Sequence, residues 1–460
     1  MKSSRRDFLK YSAAAGAAAA LPTVWAGSSA LGQERNLKLT MASIGVGGSR
    51  GAYSRGTDIA MSASKHAKMI AVCDVDDVHS AEFNAKFDKK LNVYRDYRKL
   101  FDKEKPDIVT IGTPDHWHVA IAIHALRAGC DVYCEKPLTL TIEEGFRIRD
   151  AVKETGRVFQ VGTQQRSEFE LLFLKAVAIV QSGLLGKNVS ANIAIGGGPT
   201  GGPFDEKPAP SDLDWDMWLG PTNQVDYSPE RRKEFRWFYD YSGGKMTDWG
   251  AHHIDIAQWA LGHDKSGPVK ISGTGKFTPL VPDHFDWHAY FADQSRLPNG
   301  YETATDFHIK LEYADGSVIT VNSTYDAGDG RTKFDNGILF VGDKGRIYVN
   351  RERLTGKPVE EMTDADRIPL YQSMIPLYKG KFPGDHMLNF FQCVADRSDP
   401  VSDVYTHHRT MTTCHLCNIA LMLGRDLHWD PDKEQFVGDE QATALMSRPR
   451  RDAYSWAATA

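Results

Sequence analysis

Residues 107–137 read DIVTIGTPDHWHVAIAIHALRAGCDVYCEKP and contain a strand, a helix and a second strand in succession. The apolar run from Asp107 to Gly112 predicts a buried strand, and residues Val119 to Gly129 predict the helix that follows. Asp131 to Cys134 predicts the next strand, which ends directly before Glu135-Lys136-Pro137. Because open α/β sheets bind ligands at the carboxyl ends of their strands, Lys136 is predicted to project into a ligand crevice.

The same alternation extends to both sides of this unit. Leu39 to Ile44 and Met69 to Cys73 predict two strands upstream, and Arg157 to Val161 predicts one downstream. Strands that alternate with helices favour a parallel, doubly wound sheet with right-handed crossovers. The first third of the chain is therefore predicted to be an α/β domain.

A glycine-rich turn, Gly45-Val-Gly47-Gly48-Ser-Arg50-Gly51, follows the first predicted strand. Glycines there let the backbone approach a pyrophosphate, which then rests on a helix N-terminus. The pattern is imperfect, since Arg50 occupies the place of the third glycine. Asp74 closes the second strand and is placed to bind a ribose hydroxyl. Asp76 and Asp77 follow it, and no arginine does. Because these carboxylates would repel a 2′-phosphate, the sequence favours NAD over NADP.

Composition excludes several classes of protein. At 460 residues, 41% hydrophobic and 25% charged, the chain fits a globular protein of two domains. Its formal charge is −5 and it has no basic run of five residues, which argues against nucleic-acid binding. Six cysteines do not make a disulfide framework at this length. Cys414-x-x-Cys417 lacks a second pair and is interpreted as two buried thiols.

The first 32 residues predict an export signal. Ser4-Arg5-Arg6-Asp7-Phe8-Leu9-Lys10 precedes an alanine-rich apolar stretch that is too short to span a membrane, and small residues follow it. The paired arginines resemble a twin-arginine signal. That route carries folded proteins, so we expect a periplasmic protein, not an integral membrane protein, that is exported by the twin-arginine machinery after it binds its cofactor.

Three stretches resemble the Gfo/Idh/MocA oxidoreductases, relatives of glucose–fructose oxidoreductase and inositol dehydrogenase: residues 113–118, 135–137 and 243–255. The similarity extends from about Leu37 to about Leu427. It implies a Rossmann domain at residues 37–162. An α+β domain at 163–430 follows, with an open, largely antiparallel sheet that carries the substrate and often forms oligomer contacts. Residues 431–460 are expected to be a C-terminal tail.

The resemblance also implies roles for individual residues. Lys136 and His252 would be catalytic, Asp248 would lie beside them, and His118 would lie near the nicotinamide. The predicted cofactor-binding residues are Gly45, Gly47, Gly48, Arg50, Asp74, Thr113, Pro114, His118, Glu135 and Lys136. The predicted substrate-binding residues are Lys136, Arg166, Trp249 and His252.

The chemistry of alcohol oxidation agrees with this set. It needs a base for the hydroxyl proton and a cation beside the developing alkoxide, which His252 and Lys136 supply. Asp248 lies four residues before His252, and on one helix it would share a face with His252 and either orient the imidazole or hydrogen-bond a neighbouring hydroxyl. Alternatively, Thr247 or Asp248 caps that helix, and the two interpretations are compatible.

The second domain shows alternating patterns typical of hairpins. Asp306–Tyr313 and Ser317–Ser323 flank one turn, and residues 337–340 and 345–349 flank another. Residues 280–302 predict an inserted loop. Helices are expected at residues 386–395 and 406–423, with His407 and His408 near the surface.

The predicted function is an exported NAD(P)-dependent oxidoreductase that transfers hydride between a nicotinamide and a hydroxyl-bearing carbon of a sugar, glycoside or polyol. Two alternatives remain open: redox-neutral glycoside cleavage through transient oxidation, and a non-catalytic sugar-binding protein. Free NAD is scarce outside the cytoplasm, so the cofactor is expected to stay tightly bound. No metal site is predicted, because the adjacent pairs His252-His253 and His407-His408 point apart on helices. A homo-oligomer is expected.

Overall fold

The first domain of the computed structural model, which describes residues 39–457, is built on a six-stranded parallel sheet. The predicted export signal at residues 1–32 lies outside the described residues. The strand order is β3-β2-β1-β4-β5-β6, and each neighbouring pair is parallel. The strands are β1 (Thr40–Ile44), β2 (Lys68–Cys73), β3 (Asn92–Tyr94), β4 (Ile108–Ile111), β5 (Asp131–Cys134) and β6 (Phe159–Val161).

Continuous apolar runs explain the central strands, since every residue of β4 and β5 is buried. The connecting helices are α1 (Arg55–Ala63), α2 (Asp77–Ala85), α3 (Tyr97–Lys103), α4 (Asp115–Arg127) and α5 (Ile142–Thr155). The predicted parallel, doubly wound sheet is confirmed. β3 was not predicted, because it is a short, largely exposed edge strand with no apolar run. The strand order reverses between β1 and β4, so the ligand crevice opens above their carboxyl ends.

The second domain carries a nine-stranded sheet of order β15-β14-β13-β7-β10-β9-β8-β16-β17. One neighbouring pair, β7 and β10, is parallel, and the other seven are antiparallel. The strands are β7 (Ser190–Ile195), β8 (Lys270–Lys276), β9 (Asp306–Glu312), β10 (Val318–Asn322), a separate two-stranded ribbon of β11 (Tyr325–Asp326) and β12 (Lys333–Phe334), then β13 (Asn336–Gly342), β14 (Gly345–Val349), β15 (Leu354–Thr355), β16 (Leu427–Asp430) and β17 (Gln435–Phe436). The predicted open, largely antiparallel sheet and both of its hairpins are confirmed.

Three long helices of this domain, α6, α10 and α15, pack on one another or on the sheet. The helices are α6 (Leu172–Gln181), α7 (Trp215–Leu219), α8 (Pro229–Lys233), α9 (Gly244–Asp248), α10 (Gly250–Leu261), α11 (Trp287–Phe291), α12 (Lys357–Glu360), α13 (Asp364–Leu377), α14 (His386–Asp396), α15 (Val404–Leu423) and α16 (Glu440–Ala444). Because α15 also contacts α5 and β6, it joins the two domains.

Three expectations for the second domain need correction. The segment predicted as a loop, 280–302, contains α11, whose Trp287, Tyr290 and Phe291 are buried. The residues expected to be a tail, 431–457, add β17 to the sheet and bury Tyr454. His407 and His408, expected near the surface, are buried in α15, and His408 pairs with Glu434.

All six cysteines are buried and unpaired, as expected for structural thiols. These cysteines are Cys73, Cys130, Cys134, Cys393, Cys414 and Cys417. Within residues 39–457, no helix has the length and apolar character needed to cross a membrane.

Candidate active site

A cleft of about 520 Å³ opens at the carboxyl edge of the first sheet and extends to the N-terminal end of α10. Both domains supply its walls. Most of the residues predicted from the sequence line it: Gly45, Gly47, Asp74, Thr113, Pro114, His118, Glu135, Lys136, Asp248, Trp249 and His252. Three predicted residues, Gly48, Arg50 and Arg166, do not.

The turn after β1 has the geometry of a dinucleotide cradle. Gly45 and Gly47 adopt φ of +71° and +64°, and a Cβ at Gly45 would come within 2.4 Å of Thr113. Asp74 accepts hydrogen bonds from the Val46 and Gly47 N–H groups at 3.0 and 3.2 Å, which fixes the turn beside the end of β2.

Arg55 and Gly56, at the start of α1, line this cleft, and their backbone N–H groups have no hydrogen-bond partner among the described residues. Two free donors at a helix N-terminus suit a pyrophosphate. The residues present therefore fit a bound dinucleotide.

Two of the predicted cofactor contacts are corrected by the structure. A Cβ at Gly48 would meet the Glu82 and His79 side chains, so this glycine serves packing outside the cleft. Arg50 donates two hydrogen bonds to Asp212, at 2.6 and 2.8 Å, and its guanidinium is committed to that pair. The sequence could not reveal this partner, which lies 162 residues away.

Lys136 and Asp248 form an ion pair across the two domains. The Lys136 Nζ lies 2.6 Å from Asp248 Oδ1 and 3.0 Å from the Asp248 carbonyl oxygen. Burial opposes ionisation of Asp248, but Lys136 and the nearby Arg236 outweigh it and hold the pKa of Asp248 below its ordinary value. The carboxylate is therefore ionised and fixes the position of the ammonium group.

His252 lies in the first turn of α10 with 3% of its surface exposed. Burial, together with the positive charges of Lys136 and Arg351, lowers the pKa of His252 well below the ordinary value, so the imidazole is neutral. Its Nδ1 is buried without a hydrogen-bond partner among the described residues. A neutral imidazole at the cleft can accept a proton.

The predicted relation between Asp248 and His252 is wrong. The two residues belong to separate helices, because α9 ends at Asp248 and α10 begins at Gly250 after Trp249. Asp248 bonds to Lys136, and within residues 39–457 it makes no hydrogen bond to His252. Thr247 and Asp248 also do not cap α10, whose N-cap residue is Trp249.

The residues next to Lys136 are held by their own contacts. Glu135 accepts hydrogen bonds from Arg55 Nε and Gln164 Nε2, each at 3.0 Å. The ring nitrogens of His118 lie 2.7 Å from the Pro137 carbonyl oxygen and 2.8 Å from that of Thr113. Burial lowers the pKa of His118, although the two carbonyls favour its protonated form. These contacts connect the end of β5 to the loop after β4.

The predicted substrate role of Arg166 is also corrected. Its guanidinium is buried, donates two 2.7 Å hydrogen bonds to Asp255, and stacks on Trp259. Arg166 therefore anchors α10 from outside the cleft, and its neighbour Gln164 lines the cleft.

Sequence reasoning missed several residues of the cleft. Arg351, from the β14–β15 connection, and Arg236, 3.8 Å from Asp248 Oδ1, both line it. No sequence motif around either arginine predicts a role in the site, because both reach it only through the tertiary fold. Asp115, at the start of α4, had a signal as the acid within the 113–118 motif. Burial raises the pKa of Asp115 to about 7, although the hydrogen bond that Ser242 donates to its carboxylate acts to lower this pKa.

A segment of the second domain, residues 210–236, crosses the ribose end of the cleft; we call it the crossing segment. Leu213 forms a backbone bridge with Asp76, and the Asp214 N–H donates to the Val75 carbonyl at 2.9 Å. Arg232 pairs with the buried Asp76. Phe235, Met217 and Trp218 complete this wall of the cleft.

Family profiles match most of the chain. Residues 39–163 match the NAD-binding Rossmann fold of the GFO_IDH_MocA oxidoreductase family, and residues 176–277 and 301–456 match its C-terminal alpha/beta domain. The second match omits residues 278–300, in agreement with the predicted insertion. Residues 2–22 match the signal sequence of the twin-arginine translocation pathway.

Curated relatives match parts of the chain. Levoglucosan dehydrogenase of Pseudarthrobacter phenanthrenivorans is 26% identical over 60% of this chain and 64% of its own length. D-glucoside 3-dehydrogenase of Escherichia coli is 30% identical over 29% of this chain and 42% of its own. scyllo-Inositol 2-dehydrogenase (NAD(+)) of Bacillus subtilis is 28% identical over 39% and 42%. The chain thus spans less than two thirds of each relative.

Solved structures share the fold over nearly their whole length. The WlbA dehydrogenase from Chromobacterium violaceum, in complex with NADH and UDP-GlcNAcA, gives a TM-score of 0.58 at 16% identity, covering 86% of this chain and 96% of that one. myo-Inositol 2-dehydrogenase from Lactobacillus plantarum gives 0.53 at 19% identity, covering 85% and 99%. These similarities establish the two-domain architecture.

Proposed function

Since the chain belongs to the Gfo/Idh/MocA oxidoreductase family, we propose that it oxidises a hydroxyl-bearing carbon of a sugar, glycoside or polyol with NAD. The observation that carries this proposal is the ion pair of Lys136 with Asp248, next to neutral His252, in a cleft that also contains a dinucleotide cradle. The relatives named dehydrogenases of sugars and inositols support the substrate class.

Each of the three residues has a distinct proposed role. Bound NAD would supply the hydride acceptor. His252 takes the hydroxyl proton, because its neutral ring has a lone pair available at the cleft. Lys136 holds the oxygen as negative charge develops on it. Asp248 keeps the ammonium in place through two oxygen contacts, of 2.6 and 3.0 Å.

We propose NAD over NADP on the charges around Asp74. The sequence argument that no arginine follows this residue was incomplete, because Arg95 and Arg232 line the same end of the cleft. Both are already paired, with Asp77 and Asp76 respectively. A 2′-phosphate would therefore meet Asp74 and neutralised arginines, whereas a ribose diol can donate hydrogen bonds to the Asp74 carboxylate.

We also propose that the cofactor stays bound after export to the periplasm. The twin-arginine signal supports transport of a folded protein, and the crossing segment supports retention. It contacts the first domain through a backbone bridge of two hydrogen bonds and through the ion pairs of Arg50 with Asp212 and Arg232 with Asp76. A second substrate would then regenerate the cofactor in place.

Two measurements test the proposed function. Protein purified from its exported form without added nucleotide should release NAD on denaturation, identified by mass spectrometry. Incubation with glycosides and polyols should give a keto product. A released aglycone at unchanged oxidation level would instead assign redox-neutral cleavage, and a protein that neither contains nor binds NAD would refute the proposal.

Weakening the crossing segment should accelerate cofactor release. The double variant Asp212→Ala/Arg232→Met removes both ion pairs to the first domain, and charge-assisted hydrogen bonds of this kind justify an increase of about tenfold or more in the dissociation rate. The rate is read from the fluorescence of bound NADH after addition of excess NAD. Glu230→Gln on α8 is the control and should match the wild type. An unchanged rate in the double variant would show that the segment does not retain the cofactor.

A further inference from the structure

Arg351 lines the substrate end of the cleft and forms no ion pair within residues 39–457. We propose that the substrate is a sugar derivative bearing a carboxylate, such as a uronic acid or a uronide, and that Arg351 binds this group. The inference rests on the proposed function and adds to it the charge of the substrate and the residue that selects it.

The Arg351 guanidinium has a fixed position in the cleft wall. It lies between two aromatic rings, with its Cζ 4.6 Å from the ring centre of Phe169 and 4.6 Å from that of Trp249. Its Nε donates a 3.1 Å hydrogen bond to Gln165 Oε1. The two ring contacts and the bond at Nε fix the guanidinium and leave its outer edge, Nη1 and Nη2, available.

That outer edge has no acidic partner within residues 39–457. No carboxylate oxygen of the described chain lies within 4 Å of Arg351, and its Nη1 and Nη2 donate no hydrogen bond there. The two groups are not enclosed by protein, and the residue lines the cleft. Paired N–H groups in this arrangement match the two oxygens of a carboxylate.

Three other cationic side chains at this end have a carboxylate within 4 Å. Arg55 pairs with Glu135 at 3.0 Å, and Lys136 and Arg236 share Asp248, at 2.6 and 3.8 Å. Burial lowers the pKa of Arg351, whereas Asp248 and Glu168 oppose that effect without forming an ion pair with it among the described residues. A half-buried guanidinium without a counter-ion is unfavourable, and a bound anion removes the cost.

A chain of polar groups orients Arg351 from the second sheet. Burial lowers the pKa of His253 to about 4, so its ring is neutral. The Nε2–H of His253 then donates to Asn336 Oδ1 at 3.2 Å, and Nδ1 accepts from Gln165 Nε2 at 3.2 Å. This assignment leaves Gln165 Oε1 to face Arg351. His253 thus acts as a positioning residue.

A monoanion fits this site better than a phosphate. Arg351 carries one positive charge, and the ionised Asp248 lies close enough to influence its pKa. Asp248 would therefore repel a second negative charge on the ligand. A carboxylate neutralises Arg351 and adds no surplus charge.

The test compares Arg351→Gln with Arg351→Lys and with Arg353→Gln, an exposed arginine of the same connection that does not line the cleft. Each protein is assayed in its NAD-bound form with a methyl hexoside, the corresponding methyl hexuronide and a hexose 6-phosphate. Wild type should have the lowest KM for the hexuronide. Arg351→Gln should raise that KM by about 10- to 100-fold and change the hexoside KM little. Arg351→Lys should be intermediate, and Arg353→Gln should match wild type.

Calorimetric titration of the hexuronide gives a readout without turnover. Binding that Arg351→Gln weakens at least tenfold, in a protein of unchanged thermal midpoint, supports the inference even if no sugar is oxidised and the proposed function fails. Equal KM values for hexoside and hexuronide in wild type, a preference for the hexose phosphate, or hexuronide binding unaffected by Arg351→Gln would each overturn the inference while leaving sugar oxidation intact.

Discussion

Lys136→Met should lower kcat/KM for alcohol oxidation by about 10²- to 10⁴-fold while the protein still folds and binds NAD. The ammonium lies 2.6 Å from Asp248 Oδ1, and methionine has nearly the same length without the charge. The loss should fall mainly on kcat, because the interaction with the oxygen strengthens as negative charge develops. Steady-state kinetics with a saturating sugar substrate measure it.

The same substitution leaves Asp248 without its closest cation, so stability must be measured in parallel. Both side chains of the pair are about one-sixth exposed, 16% and 17%, and Arg236 remains nearby. We expect a loss of about 2 kcal/mol in the free energy of unfolding, below the value for a fully buried pair. Lys103→Met, at the exposed end of α3, is the control and should retain activity and stability. Full turnover by a folded Lys136→Met protein would refute the assigned role.

Acidification should unfold this protein well above the ordinary pKa of carboxylic acids. Burial lowers the pKa of His253, His386 and His407 to about 4, and of His116 and His415 to about 3. In the unfolded chain these histidines titrate near pH 6.5. Between pH 6.5 and 4 the unfolded state therefore binds protons that the folded state does not. The stability these groups provide is present above pH 6.5 and is lost as the pH falls.

Buried carboxyl groups offset part of this loss. Burial raises the pKa of Asp115 to about 7, of Glu144 to about 6 and of Glu302 to about 8, so the folded state gains protons there as the pH falls. With His252, whose pKa burial and nearby positive charges also lower, the histidines outnumber these carboxyls. We expect a net loss of stability below pH 6.5, of about 1.4 kcal/mol per pH unit for each histidine in excess. Urea unfolding at pH 7.5, 6.0 and 5.0 measures this slope.

His407→Leu provides a specific control for the acid prediction. Both ring nitrogens of His407 are buried without a hydrogen-bond partner among the described residues, so leucine breaks no bond that the structure shows. The variant should be at least as stable at pH 7.5 and should reduce the slope by about 1.4 kcal/mol per pH unit. A slope equal to that of wild type would show that His407 does not contribute to acid unfolding.

The fold was predictable because its signals are local. The strand–helix–strand pattern of residues 107–137 and the turn at Gly45 each depend on neighbouring residues, and so do the hairpins around residues 314–316 and 343–344. β3 lacked an apolar pattern because it lies at a sheet edge. α11 was missed because the turn-forming residues around it masked a single helical turn.

The site was less predictable because its contacts are distant in sequence. Lys136 and Asp248 are 112 residues apart, and the family resemblance brought them together before the structure did. Spacing alone misled for Asp248 and His252, since the helix breaks at Trp249. Arg50 and Arg166 were assigned to ligands because their partners, Asp212 and the buried Asp255, lie 162 and 89 residues away and cannot be recognised without a tertiary structure. Arg351 had no local signal at all.

The six buried cysteines have a consequence for the order of folding and export. Burial raises the pKa of their thiols, to about 11 for Cys393 and about 12 for Cys130, so the nucleophilic thiolate is absent at neutral pH. A chain that crossed the membrane unfolded would present six reactive sulfurs to an oxidising environment and could cross-link in non-native pairs. A chain that crosses already folded exposes none of them. Folding before export would therefore keep all six thiols buried and prevent their oxidation.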